Sequence, residues 1–307
     1  VAVSAGPCVG LVDFLRARLP AVGDWPERLA RGDVLDSLGQ PLSAQARCTP
    51  GAVLWYWRSL PPEPRVPFEL EVLHQDEHLV VVDKPHFLAV VPGGRYLQET
   101  VQVRLKRLLG IDTLVPLHRL DRETAGVLMF SAQPATRDAY HALLRERRVH
   151  KVYEAVAPWR ADLALPLTCR HRLEEPAGEG FMQMQVVPGE PNAETHIELI
   201  ERLGVTGQAG QGPAVELAHY RLRPHTGRRH QLRVQLNALG LPIVGDRIYP
   251  RLWPHPPADT VPDYDQPLQL LACELAFVDP VSGAARHFAS RRRLQCATAG
   301  RSIEPAG

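Results

Sequence analysis

The sequence predicts an α+β protein: a mainly antiparallel mixed sheet flanked by helices and loops, preceded by a small α/β unit. Three observations carry that expectation. Beyond residue 150, strand-like segments follow one another without the regular β-α alternation of a doubly wound sheet. The stretch Leu60-Pro61-Pro62-Glu63-Pro64-Arg65-Val66-Pro67 has four prolines, which remove donors and fix φ, so it reads as a linker. Finally, 307 residues, 45% of them hydrophobic, suffice for one large core and one small one. The expected organisation is a unit over 1–60, a linker over 61–68, a main domain over 69–290 and a disordered tail over 291–307.

In the first unit, Leu11, Phe14, Leu15 and Leu19 sit at helical spacing and Pro20 ends the run. A second short helix is expected from Pro26 to Ala30, then a hairpin through Gly39-Gln40-Pro41. After the linker come strands near 69–74 and 78–83, and a helix near 98–109 with Val101, Leu105, Leu108 and Leu109 inward and Gly110 as C-cap. A strand at 126–131 precedes a helix near 134–147, opened by Pro134, with Tyr140, Leu143 and Leu144 on one face. Strands are expected at about 151–157, 182–188, 194–202 and 214–223, with a mobile Gly-rich hairpin loop at 204–213. Thr226 is placed to cap a helix running to about Leu239, with Leu232, Leu236 and Leu239 as its buried stripe and Arg233 at the stripe's edge. A long loop over 250–267 leads to the last strand.

Composition excludes several classes. No run of about 18 apolar residues exists to span a bilayer, and the first residues lack the pattern of a secretory signal, so the cytoplasm is the expected location. Five scattered cysteines (Cys8, Cys48, Cys169, Cys273, Cys296) form no C-x-x-C pair, and are expected to be reduced and structural. A net charge of +1 argues against a protein that coats nucleic acid indiscriminately. Charge placement is more informative. Lysine occurs only at Lys84, Lys106 and Lys151, so most cations are planar guanidinium forks suited to phosphate, a bias that genomic base composition explains equally well. Arg221, Arg223, His225, Arg228, Arg229, His230 and Arg233 form one cluster; Arg145, Arg147, Arg148, His150 and Lys151 form another.

The segment with most chemistry in it is His118-Arg119-Leu120-Asp121-Arg122-Glu123-Thr124-Ala125-Gly126, followed by the apolar run Val127-Leu128-Met129-Phe130. It reads as a loop feeding a buried strand, so Asp121 sits just outside the core on a rigid support. Two flanking arginines favour its ionised form, because a close positive charge lowers an Asp pKa by about 1–3 units. An ionised, oriented carboxylate is a nucleophile or a base.

This run resembles the HRLDxxTSG signature of the RluA-type pseudouridine synthases, with Ala125 in place of the usual Ser. Further segments resemble the same family in the same order over roughly residues 69–290. Leu79-Val80-Val81-Val82-Asp83-Lys84-Pro85 is similar to its (N/D)KP strand, followed by the Val91-Pro92-Gly93 turn, and Lys151-Val152-Tyr153-Glu154-Ala155 to its KxYxA strand. Thr226 to Val234 resembles TGRxHQLRV, and Leu271 to Pro280 the closing LHAxxLxFxHP strand, with Asp279 for the usual His. Residues 11–58 resemble, in degenerate form, the ribosomal-protein S4-type RNA-binding domain, with Trp25-Pro26 where a basic helix start is usual.

The resemblance implies the pseudouridine synthase fold and isomerisation of uridine in structured ribosomal or transfer RNA by a monomer. The bond from ribose C1′ to uracil N1 breaks, the base turns, and ribose rejoins at C5. Nothing is consumed, so the expected cofactor and metal are none. In the implied assignment, Asp121 attacks C1′ or removes the C2′ proton, Tyr153 stacks on uracil and helps remove the C5 proton, and Arg233 keeps Asp121 ionised. Arg119 fills the gap left by the flipped base; Arg122, Leu232, Arg228, Arg229 and His230 are the further substrate-binding candidates. Two alternatives stand beside this: a catalytically silent RNA-binding protein, and a glycosidic-bond hydrolase, which needs a second carboxylate with Glu123 as the nearest candidate.

Overall fold

A computed structural model describes residues 10–20, 22–47, 49, 51–57, 63–94, 96–176, 183–206, 215–254, 260 and 263–295. Cys8, Cys48, Cys296, most of the Gly-rich loop and the end of the tail lie outside the described residues. The chain divides into two units, Val1–Pro62 and Glu63–Gly307.

In the first unit, helix α1 (Leu11–Arg18) buries Leu11 and Leu15, and helix α2 (Trp25–Ala30), with Pro26 in its first turn, buries Trp25 and Leu29. These side chains close over the antiparallel pair β1 (Val34–Leu35) and β2 (Trp55–Tyr56). The Asp36 carboxylate accepts from the Leu38 and Gln40 amides at 2.8 and 2.9 Å, which tightens the hairpin turn at Gly39.

Among the described residues the second unit is built on one sheet of 11 strands. Its strands are β3 (Glu71–Gln75), β4 (Leu79–Lys84), β5 (Val115–Pro116), β6 (Ala125–Ser131), β7 (His150–Pro158) and β8 (Leu167–Glu174). The rest are β9 (Gln185–Val187), β10 (Ala193–Thr206), β11 (Val215–Pro224), β12 (Leu270–Val278) and β13 (Ala285–Ala289). The order is β3-β4-β6-β12-β7-β11-β10-β8-β9, with β5 beside β6 and β13 beside β12. Among the described residues the pairings are antiparallel except β12 with β6, where Leu271 faces Ala125 and Ala272 faces Gly126. The sheet is therefore mixed but mainly antiparallel, as expected. Strands β4 and β6 are buried along their whole length, and their sequences accordingly show continuous apolar runs instead of alternation.

Helix α3 (Val101–Leu109) starts where the Thr100 hydroxyl accepts from the Val103 amide at 3.3 Å and ends at left-handed Gly110. Leu108 is a correction: it is 63% exposed, and only Val101 and Leu105 of the expected inward set are fully buried. Pro134–Thr136 forms a 3-10 turn before α4 (Arg137–Arg145), which buries Tyr140 and Leu143. Helix α5 (Gln231–Ala238) begins after left-handed His230, and Thr226 does not cap it. The Thr226 hydroxyl instead accepts from the Glu194 amide and donates to Gln231 Oε1, both at 2.8 Å, tying the loop to β10. Gln231 to Leu236 are all buried, so α5 is enclosed on every side and has no simple stripe.

Strands β5, β8 and β13 have no counterpart among the strands expected from sequence. β10 continues to Thr206, into the segment that reads as loop. The expected tail from 291 is also corrected at its start. The Arg291 amide donates to Asp83 at 2.8 Å and Leu294 is 2% exposed, so the ordered chain passes residue 290.

Candidate active site

Asp121 sits in the loop between β5 and β6, and two devices hold that loop. Gly126 has φ +114°, and a Cβ there would stand 2.2 Å from the Ala272 carbonyl oxygen, so only glycine permits β6 to start beside β12. From below, Lys84 at the end of β4 is fully buried and donates to the Arg122, Leu88 and Pro85 carbonyls at 2.9, 2.8 and 3.0 Å. Burial pushes the Lys84 amine down to about 7, opposed by the charges of Glu123 and Asp121.

Helix α5 delivers the partner of Asp121. Arg233, 2% exposed, donates through Nη1 to Asp121 Oδ2 at 3.1 Å. Its other two nitrogens are taken by Asp246: Nε to Oδ2 at 2.8 Å and Nη2 to Oδ1 at 2.6 Å. The Asp246 side chain is completely buried and also accepts from the Ile248 and Tyr249 amides at 2.7 and 3.0 Å. Sequence reasoning finds Asp121 as the carboxylate for Arg233 but misses Asp246. The one available signal is an acidic residue, after Gly245, at the end of the apolar stretch from Leu241 to Val244.

Asp121 and Arg233 open on a cavity of about 480 Å³. Among its described lining residues Asp121 is the one acid, facing Arg119, Arg145, Arg147, Lys151, Arg228 and Arg229. Burial works against ionisation of Asp121. His230, protonated in the acid range where the carboxyl titrates, and Arg233 overcome it and hold the pKa below the usual carboxylate range. His230 Nε2 stands 3.9 Å from Asp121 Oδ1, and burial drives this imidazole down to about 4, so it is neutral at pH 7. Tyr153 and Leu232 supply apolar surface to the same cavity. Burial, reinforced by the Asp121 charge, raises the Tyr153 pKa, so the phenol is neutral, which suits stacking and disfavours the proton removal expected of it.

The cavity does not gather every candidate. Arg122 points elsewhere: its guanidinium donates to the Tyr96 hydroxyl and to Glu123, and lies 5.1 Å from the Tyr96 ring centre. It is removed from the substrate-facing set. Glu123 is bound in that same pair and does not line the cavity, so among the described residues no second carboxylate, as a hydrolase requires, lines it beside Asp121. Arg223 is engaged by Glu198 at 2.5 Å and Arg221 lies 4.0 Å from Glu154, both outside the cavity. The intact contact between Asp121 and Arg233 tells against a silent binding protein. Among the described residues no cluster of three or more His, Cys, Asp or Glu side chains could hold a metal ion.

Comparison with known proteins matches residues 78–238 to the sequence profile of the RNA pseudouridylate synthases. The chain belongs to that family. An uncharacterized RNA pseudouridine synthase of Synechocystis is 32% identical over 227 residues, 73% of each chain. The dual-specificity RNA pseudouridine synthase RluA of Haemophilus influenzae is 30% identical across 71% of this chain and 91% of its own. The structure of human RNA pseudouridylate synthase domain containing 1 superposes with a TM-score of 0.56 at 22% identity, covering 80% of this chain and all of that one. This RluA-type synthase is accordingly an isomerase that converts uridine in RNA to pseudouridine.

Proposed function

We propose that Asp121 is the catalytic carboxylate of this synthase and that its substrate is a uridine flipped out of a stem-loop in ribosomal or transfer RNA. One observation carries this reading: an ionised aspartate held by a buried arginine is, among the described residues, the only acid lining a cavity rimmed by arginines. Extruding a nucleotide costs a few kcal/mol, and phosphate contacts from Arg119, Arg145, Arg147, Arg228 and Arg229 offset it. Tyr153 and Leu232 enclose the uracil, and Arg119, on the loop beside Asp121, occupies the place that the base leaves. Asp121 acts on the ribose, at C1′ as nucleophile or at C2′ as base. Arg233 does not touch substrate; it keeps the carboxylate ionised and aimed.

The buried thiols of Cys169 and Cys273 suit the reducing cytoplasm. The N-terminal unit, with its S4-like order of helices and hairpin, adds affinity for RNA. The deciding experiment compares total RNA from cells with and without the gene for this chain, mapping pseudouridine at each position. A site lost on deletion and restored by the parent chain, but not by Asp121→Asn, establishes both target and residue.

A further inference from the structure

The segment from Arg147 to Lys151, which leaves α4 and enters β7, faces two ways. Arg147, Val149 and Lys151 line the active-site cavity, whereas Arg148 and His150 line a second one of about 350 Å³. After the left-handed turn at Arg147 the chain alternates, Arg148 and His150 to one side and Val149 and Lys151 to the other, so one short segment forms the wall between the two spaces. The second space is a groove on the outer face of β7, β12 and β13. His150 pairs in register with Ala276, and Ala276 with His287, so a small residue lies between two imidazoles on adjacent strands. With strands about 4.8 Å apart, the two backbones flanking Ala276 are separated by about 10 Å.

The next row continues the floor with Val278 paired to Ala285, and Val278 is 56% exposed. Among the described residues no acid lines this groove. Arg148 is paired with Glu146 at 2.8 Å and His287 with Glu274 at 3.2 Å, but these are solvent-exposed pairs, weak enough to exchange for phosphate. Arg286 also lines the groove, with its guanidinium held by Asp76 and Asp279 at 3.3 Å each.

We propose that this groove is a second RNA contact. Single-stranded RNA leaving the active-site cavity crosses the turn between α4 and β7 and lays a base on Ala276, Val278 and Ala285. Its phosphates meet Arg148, His150 and His287. An apolar floor rimmed by an arginine and two imidazoles that can donate hydrogen bonds is an arrangement that takes a base together with its backbone, and the groove lies one residue away from a cavity that receives RNA. The inference rests on the reading of that cavity as the RNA site.

The test uses the full chain and two labelled hairpin RNAs with a uridine loop, one blunt and one carrying a single-stranded uridine tail of about twelve nucleotides. The tail should tighten binding by about tenfold and steepen the salt dependence by about 0.7 for each further phosphate that the protein neutralises. Val278→Glu with His287→Glu should abolish that tightening and leave binding of the blunt hairpin within about twofold. If the double variant melts early, His287→Gln carries the same comparison with a smaller span. Failure of the parent to bind either hairpin overturns the reading of the cavity itself. Equal binding of both hairpins, a tail effect that survives in the variants, or a dimer of the parent that the variants dissociate overturns the groove alone.

Discussion

Arg233 and Asp246 form a closed pair, two nitrogens on two oxygens, and the guanidinium reaches Asp121 only with the nitrogen left over. The fork geometry therefore fixes where Nη1 points, and the Asp121 loop docks against a donor whose direction is set from behind. A lysine could not do this, since a single ammonium has no second edge to anchor. Arg233→Ala strands one fully buried carboxylate and one partly buried, and should cost about 3–5 kcal/mol in chemical denaturation. Arg233→Lys should restore charge but not activity. A lysine variant with parental turnover would show that orientation is unimportant.

Asp121→Asn should lower single-turnover conversion by about four orders of magnitude or more, because the amide keeps the shape but neither attacks nor accepts a proton well. RNA affinity, measured by filter binding, should stay near that of the parent. Conversion within tenfold of the parent would sink the assignment.

Gly126→Ala should disrupt the domain far more than its one methyl suggests. The added carbon meets a backbone oxygen 2.2 Å away at a φ of +114°, so β6 and β12 must separate. A loss of more than about 3 kcal/mol is expected from thermal melts, with the Asp121 loop displaced. A stable, active alanine variant would contradict the close approach.

Acid sensitivity should come from histidine before aspartate. Burial drives His86, His118 and His230 down to about 4, about 3 and about 4. Between these values and the ordinary 6.5 the unfolded chain binds protons that the folded chain refuses, so stability rises with pH across that window and is lost as pH falls through it. The depressed carboxyl of Asp121 works in the same direction, but only below the ordinary Asp value of 3.8. His230→Gln should therefore flatten stability against pH by about 1.4 kcal/mol per unit in that window. An unchanged slope would mean that this imidazole is already protonated in the fold.

Deletion of residues 1–62 should leave a folded synthase, because the residues proposed for catalysis all lie in the second unit and Glu63 caps amides within that unit. Its carboxylate accepts from Leu97, Gln98 and Glu99 at 2.8–2.9 Å. Affinity for long RNA should fall, and the salt slope should flatten by about 0.7 for each phosphate of single-stranded RNA that the first unit neutralises in the parent. An aggregating remainder with an unchanged slope would assign the first unit to packing.

What the sequence determined by itself follows from local rules. Gly126 and the apolar run after it marked the loop-to-strand junction, because burial on both faces of a strand requires continuous apolar residues. The chain divides within Pro-rich 60–67, after Pro62, and the motifs singled out Asp121, Tyr153 and Arg233, which the fold brings to one cavity. Strand β8 was not legible: Leu167-Thr168-Cys169-Arg170-His171-Arg172 carries too many polar residues for its pattern, since one of its faces is open to water. Only the tertiary structure decided the rest. Arg122 and Arg119 are alike in sequence, yet Tyr96 and Glu123 draw one aside while the other lines the cavity. Asp246 lies 13 residues from Arg233 at no regular spacing, and a turn held by its own amide contacts brings it back. Local pattern reports which residues want burial or a turn. Which charge meets which is settled by the path of the chain between them, and that path is set by packing of the whole sheet.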